Sequence, residues 1–352
     1  MLRKILALII CCIFSGTAFA DDSPFFSSLL TTVQQKHLTP IDIEEFTVSG
    51  LKGFFSSYKD LTFSNGSDMV YVYLNNRQFT MLRKPSDSKD IDAWATIAAS
   101  ISKKITKLFN QNSSLIAENI AFFSVKSLQD HSRYHFSSEN NSPTQYDTYY
   151  NMLDGEILYL KIFDFNNDNS TAVSTAIEQF PDCKGIILDL RGNQGGPINE
   201  AIAIAKLFVD DGIILSTKAK TIDSEKYYIS DTKSAISIPL AILIDQNTAS
   251  SAEILAAALK EQAQAVLIGS TSFGKSSYQE TYVFENGGKL SLTVGEFYTP
   301  SGKNIDRKGL SPDYCIINDI PYKTENCPRQ SRENRLFDID FAVKLLLSEI
   351  SS

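Results

Sequence analysis

The chain has 352 residues, of which 43% are hydrophobic and 21% are charged, and its formal net charge is −8 at pH 7. This composition is that of a globular protein with a sizeable buried core, and it excludes a disordered chain and a membrane-embedded helix bundle. The acidic balance argues against a broad nucleic-acid-binding surface, so no nucleic-acid partner is expected.

The first twenty residues have the features of a secretory signal peptide. Arg3 and Lys4 precede an apolar run from Ile5 to Phe14, and Ala18-Phe19-Ala20 offers a small-residue cleavage site. The alternative interpretation is an uncleaved anchor. We expect residues 1–20 to be a signal peptide and the mature protein to be periplasmic or secreted, without a membrane span.

Before residue 150 the periodicity of apolar residues is mostly helical. The predicted elements are helices over 24–60 and 92–111 and short strands over 69–73 and 79–82. Pro40-Ile41-Asp42 is a predicted helix start. The Asn- and Ser-rich stretch 137–148 is a predicted linker or exposed loop. Residues 21–150 are therefore predicted to be a mainly helical N-terminal region with room for a small inserted domain.

After residue 155, short apolar runs alternate with amphipathic stretches. The predicted strands are 156–163, 185–190, 213–215, 240–244 and 265–268, and the predicted helices are 171–180, 198–208, 251–262 and 337–350. Glu285-Asn286-Gly287-Gly288 predicts the turn of a β-hairpin. This alternation is typical of an α/β core with helices packed on a sheet, and residues 151–352 are assigned to that core and its closing helix.

Loss of the first twenty residues would leave three cysteines. Cys315 and Cys327 flank a short polar segment and are the expected disulfide pair in an oxidising compartment. Cys183 precedes an apolar strand and is expected to be a buried thiol. The three histidines lie far from these cysteines in sequence, and no ligand spacing is present, so neither a metal site nor a cofactor is expected.

A glycine-rich run, Asp189-Leu190-Arg191-Gly192-Asn193-Gln194-Gly195-Gly196, follows one of the buried strands. Its glycines allow backbone N–H groups to approach a ligand closely. Such a run also occurs as an ordinary strand-to-helix turn, and it lacks the Lys and Ser/Thr of a phosphate-binding loop. The run by itself leaves both interpretations open.

Ser250 stands where the strand 240–244 gives way to the helix 251–262. A serine followed three residues later by Glu253 is the pattern of a capping box, which needs no chemistry to explain it. The position also suits a nucleophile, because the free N–H groups of a first helical turn can stabilise an oxyanion. Both interpretations stay open without a general base.

Lys275 is the candidate base because no histidine follows His135 in the sequence. A strand–helix–strand unit returns the chain close to the start of its helix, which would bring Lys275 near Ser250. A lysine can act as a base where burial lowers its pKa, and Gln279 could orient its amine. The alternatives are a surface lysine in a loop and a histidine from the N-terminal part.

Together these runs resemble the carboxyl-terminal processing, or tail-specific, serine peptidase family over about residues 155–315. The matching landmarks, in the family's order, are Gly185–Gly196, Thr248–Ile254, Thr271–Gln279, Tyr298–Gly302 and Gly309–Asp313. The resemblance implies a crotonase/Clp-protease-like core. It also implies hydrolysis of peptide bonds in a protein or peptide substrate through an acyl-enzyme.

The resemblance assigns roles to individual residues. Ser250 is the nucleophile, Lys275 is the base and Gln279 orients the lysine. The oxyanion hole would consist of the N–H of Ser251 and one N–H from the Gly195-Gly196 turn. The expected protein is an exported serine endopeptidase.

This sequence departs from the family's pattern at several points. Ser251 stands where the motif has an alanine, and Ala252 stands where it has its third serine. Ser272 is inserted between Thr271 and Phe273. No PDZ module with its Gly-rich carboxylate-binding loop is recognisable, so recognition of a free C-terminus is not predicted. Two alternatives follow: a catalytically silent peptide-binding protein on the same scaffold, and an acyl-CoA enzyme with the crotonase fold. Export argues against the second.

Overall fold

A computed structural model describes residues 21–109, 112–138, 148–166, 168–220, 225–233, 235–324, 326–332 and 335–351. The predicted signal peptide and residues 139–147 of the predicted linker lie outside the described residues. The described part divides into two compact units, the first comprising 21–35, 40–138 and 281–291 and the second the remainder. The domain boundary at residue 150 stays a prediction. None of the described helices is long and apolar enough to cross a membrane.

The first unit contains four helices and a small antiparallel sheet. The helices are α1 Ser23–Lys36, α2 Ile43–Phe55, α3 Ile91–Phe109 and α4 Ser113–Lys126, and the strands are β1 Leu61–Asn65, β2 Met69–Leu74, β3 Arg77–Arg83 and β4 Arg133–His135. The sheet order is β1-β2-β3. The helix start at Asp42 is confirmed, since its carboxylate accepts the Glu45 N–H at 2.9 Å. The residues predicted to be helical over 24–60 form these two helices, and the second ends at Phe55, before the predicted limit.

The second unit contains the remaining elements. Its strands are β5 Thr148–Leu153, β6 Ile157–Ile162, β7 Gly185–Asp189, β8 Asp211–Ala219, β9 Lys226–Asp231, β10 Leu240–Ile244, β11 Val266–Gly269, β14 Tyr314–Ile317 and β15 Ile320–Tyr322, and its helices are α5 Asn169–Gln179, α6 Ile198–Phe208, α7 Ser251–Gln262 and α8 Leu336–Ile350. The hairpin of β12 Ser277–Val283 and β13 Lys289–Tyr298 is divided between the units at residues 281–291.

The main sheet of the second unit has the order β15-β14-β11-β10-β7-β6-β5. Its five inner strands are parallel, and β5 and β15 pair antiparallel at the edges. Every residue of β7 and β10 is buried, as expected of strands covered on both faces. Helices α5, α6 and α7 cover one face, and α8 covers the other. The predicted α/β class is confirmed.

The parallel strands determine where a site can form. The carboxyl ends of β7, β10 and β11 lie along one edge of the sheet, and a loop leaves each of them. We name these loops the glycine turn (residues 190–196), the serine loop (245–250) and the lysine loop (270–276). All three are within the second unit.

The cysteine predictions are confirmed. Cys315 and Cys327 form a disulfide with their Cα atoms 5.6 Å apart. Cys183 is a buried free thiol.

Candidate active site

Ser250 has a backbone conformation that helix capping does not require. Its φ is 55° and its ψ is −120°, whereas an ordinary cap residue is extended. A non-glycine residue in this region costs roughly 1–3 kcal/mol, and such strain concentrates at functional sites. The same sharp strand-to-helix turn presents the serine of a nucleophile elbow. The capping box that the sequence predicts is formed, and the positive φ of Ser250 is a feature that the capping box does not explain.

The glycine turn packs directly against this serine. A Cβ added to Gly195, whose φ is 98°, would lie 2.9 Å from the Ser250 Cβ and 3.0 Å from the Ser251 backbone nitrogen. Only glycine fits at such a distance. The Ser251 hydroxyl donates to the Gly196 carbonyl at 2.7 Å. Two runs more than fifty residues apart in sequence thus form one surface.

The predicted oxyanion donors are not equivalent. The Gly195 N–H donates to Asn193 Oδ1 at 2.8 Å, and the buried Asn193 amide donates in turn to the Ile162 carbonyl at 3.0 Å. The Gly195 N–H is therefore engaged within the turn. Of the three residues predicted for the oxyanion hole, Gly196 and Ser251 remain as candidate donors.

One carboxylate holds the serine loop and the lysine loop together. Glu253 is fully buried, and its Oε2 accepts the backbone N–H of Ser250 at 3.0 Å and that of Lys275 at 2.9 Å. Its Oε1 accepts the Gly274 N–H at 2.7 Å and the Ser272 hydroxyl at 2.5 Å. The backbones of the predicted nucleophile and the predicted base are therefore bound to the same oxygen atom.

Glu253 was identified from the sequence only as half of a capping box. Its burial raises the pKa of the carboxyl group, and the hydrogen bonds from Ser272, Lys275, Gly274 and Ser250 act in the opposite direction. These donors satisfy a charge that would otherwise be costly to bury. Its role between two loops has no sequence signal, because the lysine loop lies about twenty residues away.

Lys275 and Gln279 are in contact, as the sequence predicts for a base and its orienting residue. The Lys275 amine is partly buried and donates to Gln279 Oε1 at 3.0 Å. The Gln279 amide group donates at its other end to Thr293 Oγ1 at 3.2 Å and to Ser277 Oγ at 3.3 Å. An amide oxygen can orient an amine without placing a negative charge beside it. It therefore stabilises the ammonium form less than a carboxylate would.

A second buried carboxylate links the glycine turn to the serine loop. Asp245 Oδ1 accepts the N–H of Gly192 in the glycine turn and that of Asn247 in the serine loop, both at 3.0 Å. Its Oδ2 accepts the Arg332 N–H at 2.9 Å. The sequence does not predict a role for Asp245, because no recognisable motif includes it.

Asp189 and Arg191 form a fully buried ion pair at the start of the glycine turn. Arg191 Nη2 lies 2.6 Å from Asp189 Oδ2, and both side chains are 1% exposed. Burial favours protonation of Asp189, but the hydrogen bond and charge of Arg191 outweigh it and lower the pKa of the carboxyl group. The pair fixes the direction in which the turn leaves β7.

Residues 156–316 match the sequence profile of peptidase family S41. We name this segment, a little under half of the chain, the S41 domain after the profile that it matches. The chain is similar to carboxyl-terminal-processing peptidase 2 from Arabidopsis thaliana chloroplasts, with 36% identity over 174 residues, 48% of this chain and 34% of that protein. It is also 34% identical over 166 residues to the carboxy-terminal processing protease CtpA of Bacillus subtilis, which is 47% of this chain and 36% of the relative. The predicted resemblance to carboxyl-terminal processing serine peptidases is confirmed.

The S41 domain contains all of the predicted site residues, from the glycine turn to Gln279. The chain spans only about a third of the length of these curated relatives. Among solved structures, a lipoprotein from Streptococcus agalactiae has a TM-score of 0.57 and 18% identity, and the alignment covers 97% of this chain and all of that one. This likeness concerns the fold.

Proposed function

We propose that this chain is an exported serine endopeptidase in which Ser250 attacks the substrate and Lys275 is the general base. The observation that carries the proposal is the hydrogen bonding of Glu253 Oε2 to the N–H groups of both residues. The strained backbone of Ser250 and the contact of Lys275 with Gln279 support it.

The first half of the reaction forms an acyl-enzyme. The neutral Lys275 amine takes the hydroxyl proton of Ser250 as its Oγ bonds to the peptide carbonyl carbon. The N–H groups of Gly196 and Ser251 stabilise the oxyanion that develops on the carbonyl oxygen. The lysine then gives its proton to the peptide nitrogen, the C–N bond breaks, and the amine product leaves.

The second half regenerates the serine. A water molecule attacks the ester carbonyl while Lys275 takes one of its protons, and that proton is returned to Ser250 Oγ as the ester bond breaks. The acid product leaves with its new carboxyl group. Because Lys275 must be neutral at the start of each half, activity should decline as the pH falls through the pKa of the lysine.

Export is proposed from two independent features. The sequence begins with the features of a signal peptide, and the S41 domain carries a disulfide between Cys315 and a cysteine that follows the domain. Disulfides form and persist in oxidising compartments. A periplasmic or secreted peptidase acting on protein substrates fits both features.

The test compares Ser250→Ala and Lys275→Ala with the unmodified protein in hydrolysis of casein. Each variant should lose at least about a thousandfold in kcat, since either residue is required for the covalent step. Lys206→Ala, which removes an exposed lysine of the same unit, is the control and should keep full activity. Casein hydrolysis that is unchanged in both site variants would refute the assignment. Binding of casein without cleavage by the unmodified protein would favour a peptide-binding protein.

A further inference from the structure

A segment beyond the S41 match contacts all three loops of the site. We name residues 326–332, between β15 and α8, the strap. The family match ends at residue 316, so the strap lies beyond the matched region. Strap and site both belong to the second unit.

The strap is bonded to the lysine loop by two buried hydroxyl groups. Ser270 Oγ donates to the Gln330 carbonyl at 2.7 Å, and Thr271 Oγ1 donates to the Cys327 carbonyl at 2.7 Å. Ser270 is fully buried, and Thr271 is 9% exposed. These two residues directly precede Ser272, whose hydroxyl binds Glu253. The strap thus fixes the beginning of the loop that carries the lysine.

The same strap carbonyl also binds the serine loop. The Gln246 N–H donates to the Gln330 carbonyl at 3.2 Å, so one oxygen atom accepts from the serine loop and from the lysine loop. Two residues later, the Arg332 N–H donates to Asp245 Oδ2 at 2.9 Å. Like Glu253 Oε2, the Gln330 carbonyl of the strap therefore bridges the serine loop and the lysine loop.

The glycine turn is reached through Arg191. Its Nη1 donates to the Arg332 carbonyl at 2.9 Å and to the Arg335 carbonyl at 2.7 Å. Asp245, which accepts from the strap, also accepts from Gly192 in this turn. Each of the three loops therefore has at least one hydrogen bond to the strap.

The strap is fastened at both ends. Cys327 is bonded to Cys315 of β14, and Arg332 Nη2 lies 2.6 Å from Asp338 Oδ1 at the start of α8. Both charged side chains are at most 3% exposed. An element that is held at both ends and bonded to loops between them can transmit a fixed geometry to those loops.

We infer that the strap is a positioning element for catalysis, and that Ser270 and Thr271 are positioning residues that hold the lysine loop in register with Ser250. The inference rests on the proposed function, since it deepens the account of the same site. These residues act through the backbone of the lysine loop. A displacement of about 1 Å at such a distance can cost about a hundredfold in rate.

The test uses the full chain with Ser270→Ala and Thr271→Val combined, which removes both hydroxyl groups with little change in volume. The control is Ser230→Ala, because Ser230 is equally buried and its hydroxyl also donates to a backbone carbonyl, that of Val209. The first readout is amide hydrogen exchange in residues 246–251 and 272–276. We expect exchange there to be at least about tenfold faster in the double variant and unchanged in the control.

The second readout is the pH dependence of casein hydrolysis. The double variant should lose about tenfold in kcat with little change in KM, and the acid limb of kcat/KM should move to higher pH as Lys275 becomes more solvated. A purely structural role would lower the active fraction equally at every pH and leave the limb in place. A second double variant, Ser270→Ala with Thr271→Ser, keeps one hydroxyl group and should recover part of the kcat.

The two readouts separate the two proposals. Exchange in the serine and lysine loops that matches the unmodified protein would overturn the strap inference, whatever the activity. An unmodified protein that fails to cleave casein would refute the proposed function while the exchange result still decides whether the strap holds the loops. Faster exchange with an unmoved acid limb would show that the strap holds the loops without positioning the base, which also overturns the inference.

Discussion

The residue that organises this site is a carboxylate with no part in the proposed chemistry. Glu253 receives four hydrogen bonds, two from the lysine loop backbone, one from Ser272 and one from Ser250. Burial of a carboxylate is tolerable only when its oxygens are satisfied, and here all four donors belong to the site. The same four hydrogen bonds therefore offset the cost of burying the charge and hold the two loops in place.

Glu253→Gln should damage activity more than stability. An amide has one acceptor oxygen and a donating NH₂ group, so it cannot accept on both sides, and one loop must shift away from the new donor. We expect kcat to fall about a hundredfold and the free energy of unfolding to fall by about 1–3 kcal/mol. Casein hydrolysis and urea unfolding measure the two effects.

Glu261→Gln is the matched control for this substitution. Glu261 lies on the same helix and accepts the N–H of Ser301 at 2.7 Å and its hydroxyl at 3.0 Å, at a more exposed position. It should lose little stability and no activity. Equal kcat in the two variants would contradict a role for Glu253 in aligning the loops.

At the scale of elements, the sequence predicts the strands that carry the site better than their surroundings. The cores of β7 and β10 follow from continuous apolar runs, because a strand buried on both faces needs no polar residue. For β8 only Ile213–Leu215 was predicted, but the strand extends over Asp211–Ala219. Its buried Ser216 and Thr217 pair with β9 and β13, and a polar residue that is satisfied by a neighbouring strand has no local signal.

The site itself was predictable in part for a similar reason. The order of three motifs identifies Ser250, Lys275 and Gln279, and parallel strands bring their loops to one edge. The positive φ of Ser250 depends on contacts made only after folding, and no spacing in the sequence indicates it. The engagement of the Gly195 N–H is local, because an Asn side chain commonly accepts the backbone N–H two residues on, and the prediction of Gly195 as a donor overlooks this pattern.

The glycine turn gives a prediction at this scale. A methyl group at Gly195 would meet Ser250 and Ser251, so Gly195→Ala must push the turn or the serine loop out of place. We expect kcat to fall at least about a hundredfold, since both the nucleophile and the oxyanion donors move. Casein hydrolysis measures the loss.

Gly302→Ala separates this contact from backbone strain. Gly302 also has a positive φ, 78°, but a Cβ there would meet nothing within 4 Å. The substitution should cost about 1 kcal/mol of stability and leave kcat unchanged. A similar loss of kcat in both variants would show that the close approach of the turn to Ser250 is unimportant.

At the scale of the whole second unit, a buried network of ions joins the site to the C-terminal helix. Arg191 binds Asp189 on one side and Asp338 at the start of α8 on the other, at 3.2 Å from Nη1 to Oδ2. Arg332 of the strap binds the same Asp338. Sequence analysis could not identify this network, because its members lie up to about 150 residues apart and charged residues are usually exposed.

Arg191→Met tests whether this network stabilises or destabilises the folded protein. The methionine leaves Asp189 and Asp338 buried without their shared cation, so the free energy of unfolding should fall by about 3–5 kcal/mol at pH 7. Arg307→Met is the control, because the Arg307 side chain is 94% exposed in its ion pair with Asp306 and its loss should change stability by less than about 0.5 kcal/mol. Urea unfolding at pH 7 and at pH 4 measures both.

The pH dependence follows from the pKa of Asp189, which Arg191 holds below its ordinary value of 3.8 against the opposing effect of burial. A lowered folded-state pKa contributes stability above the unfolded pKa, and that stability is lost as the pH falls through the folded pKa. Burial is the largest single influence on Asp189, and without Arg191 only Lys161 and Tyr159 oppose it, so the pKa of Asp189 should rise and the variant should gain stability as the carboxyl group is protonated. The difference between Arg191→Met and the unmodified protein should therefore shrink between pH 7 and pH 4. A difference that is constant or larger at pH 4 would show that the guanidinium does not hold Asp189 in its charged form.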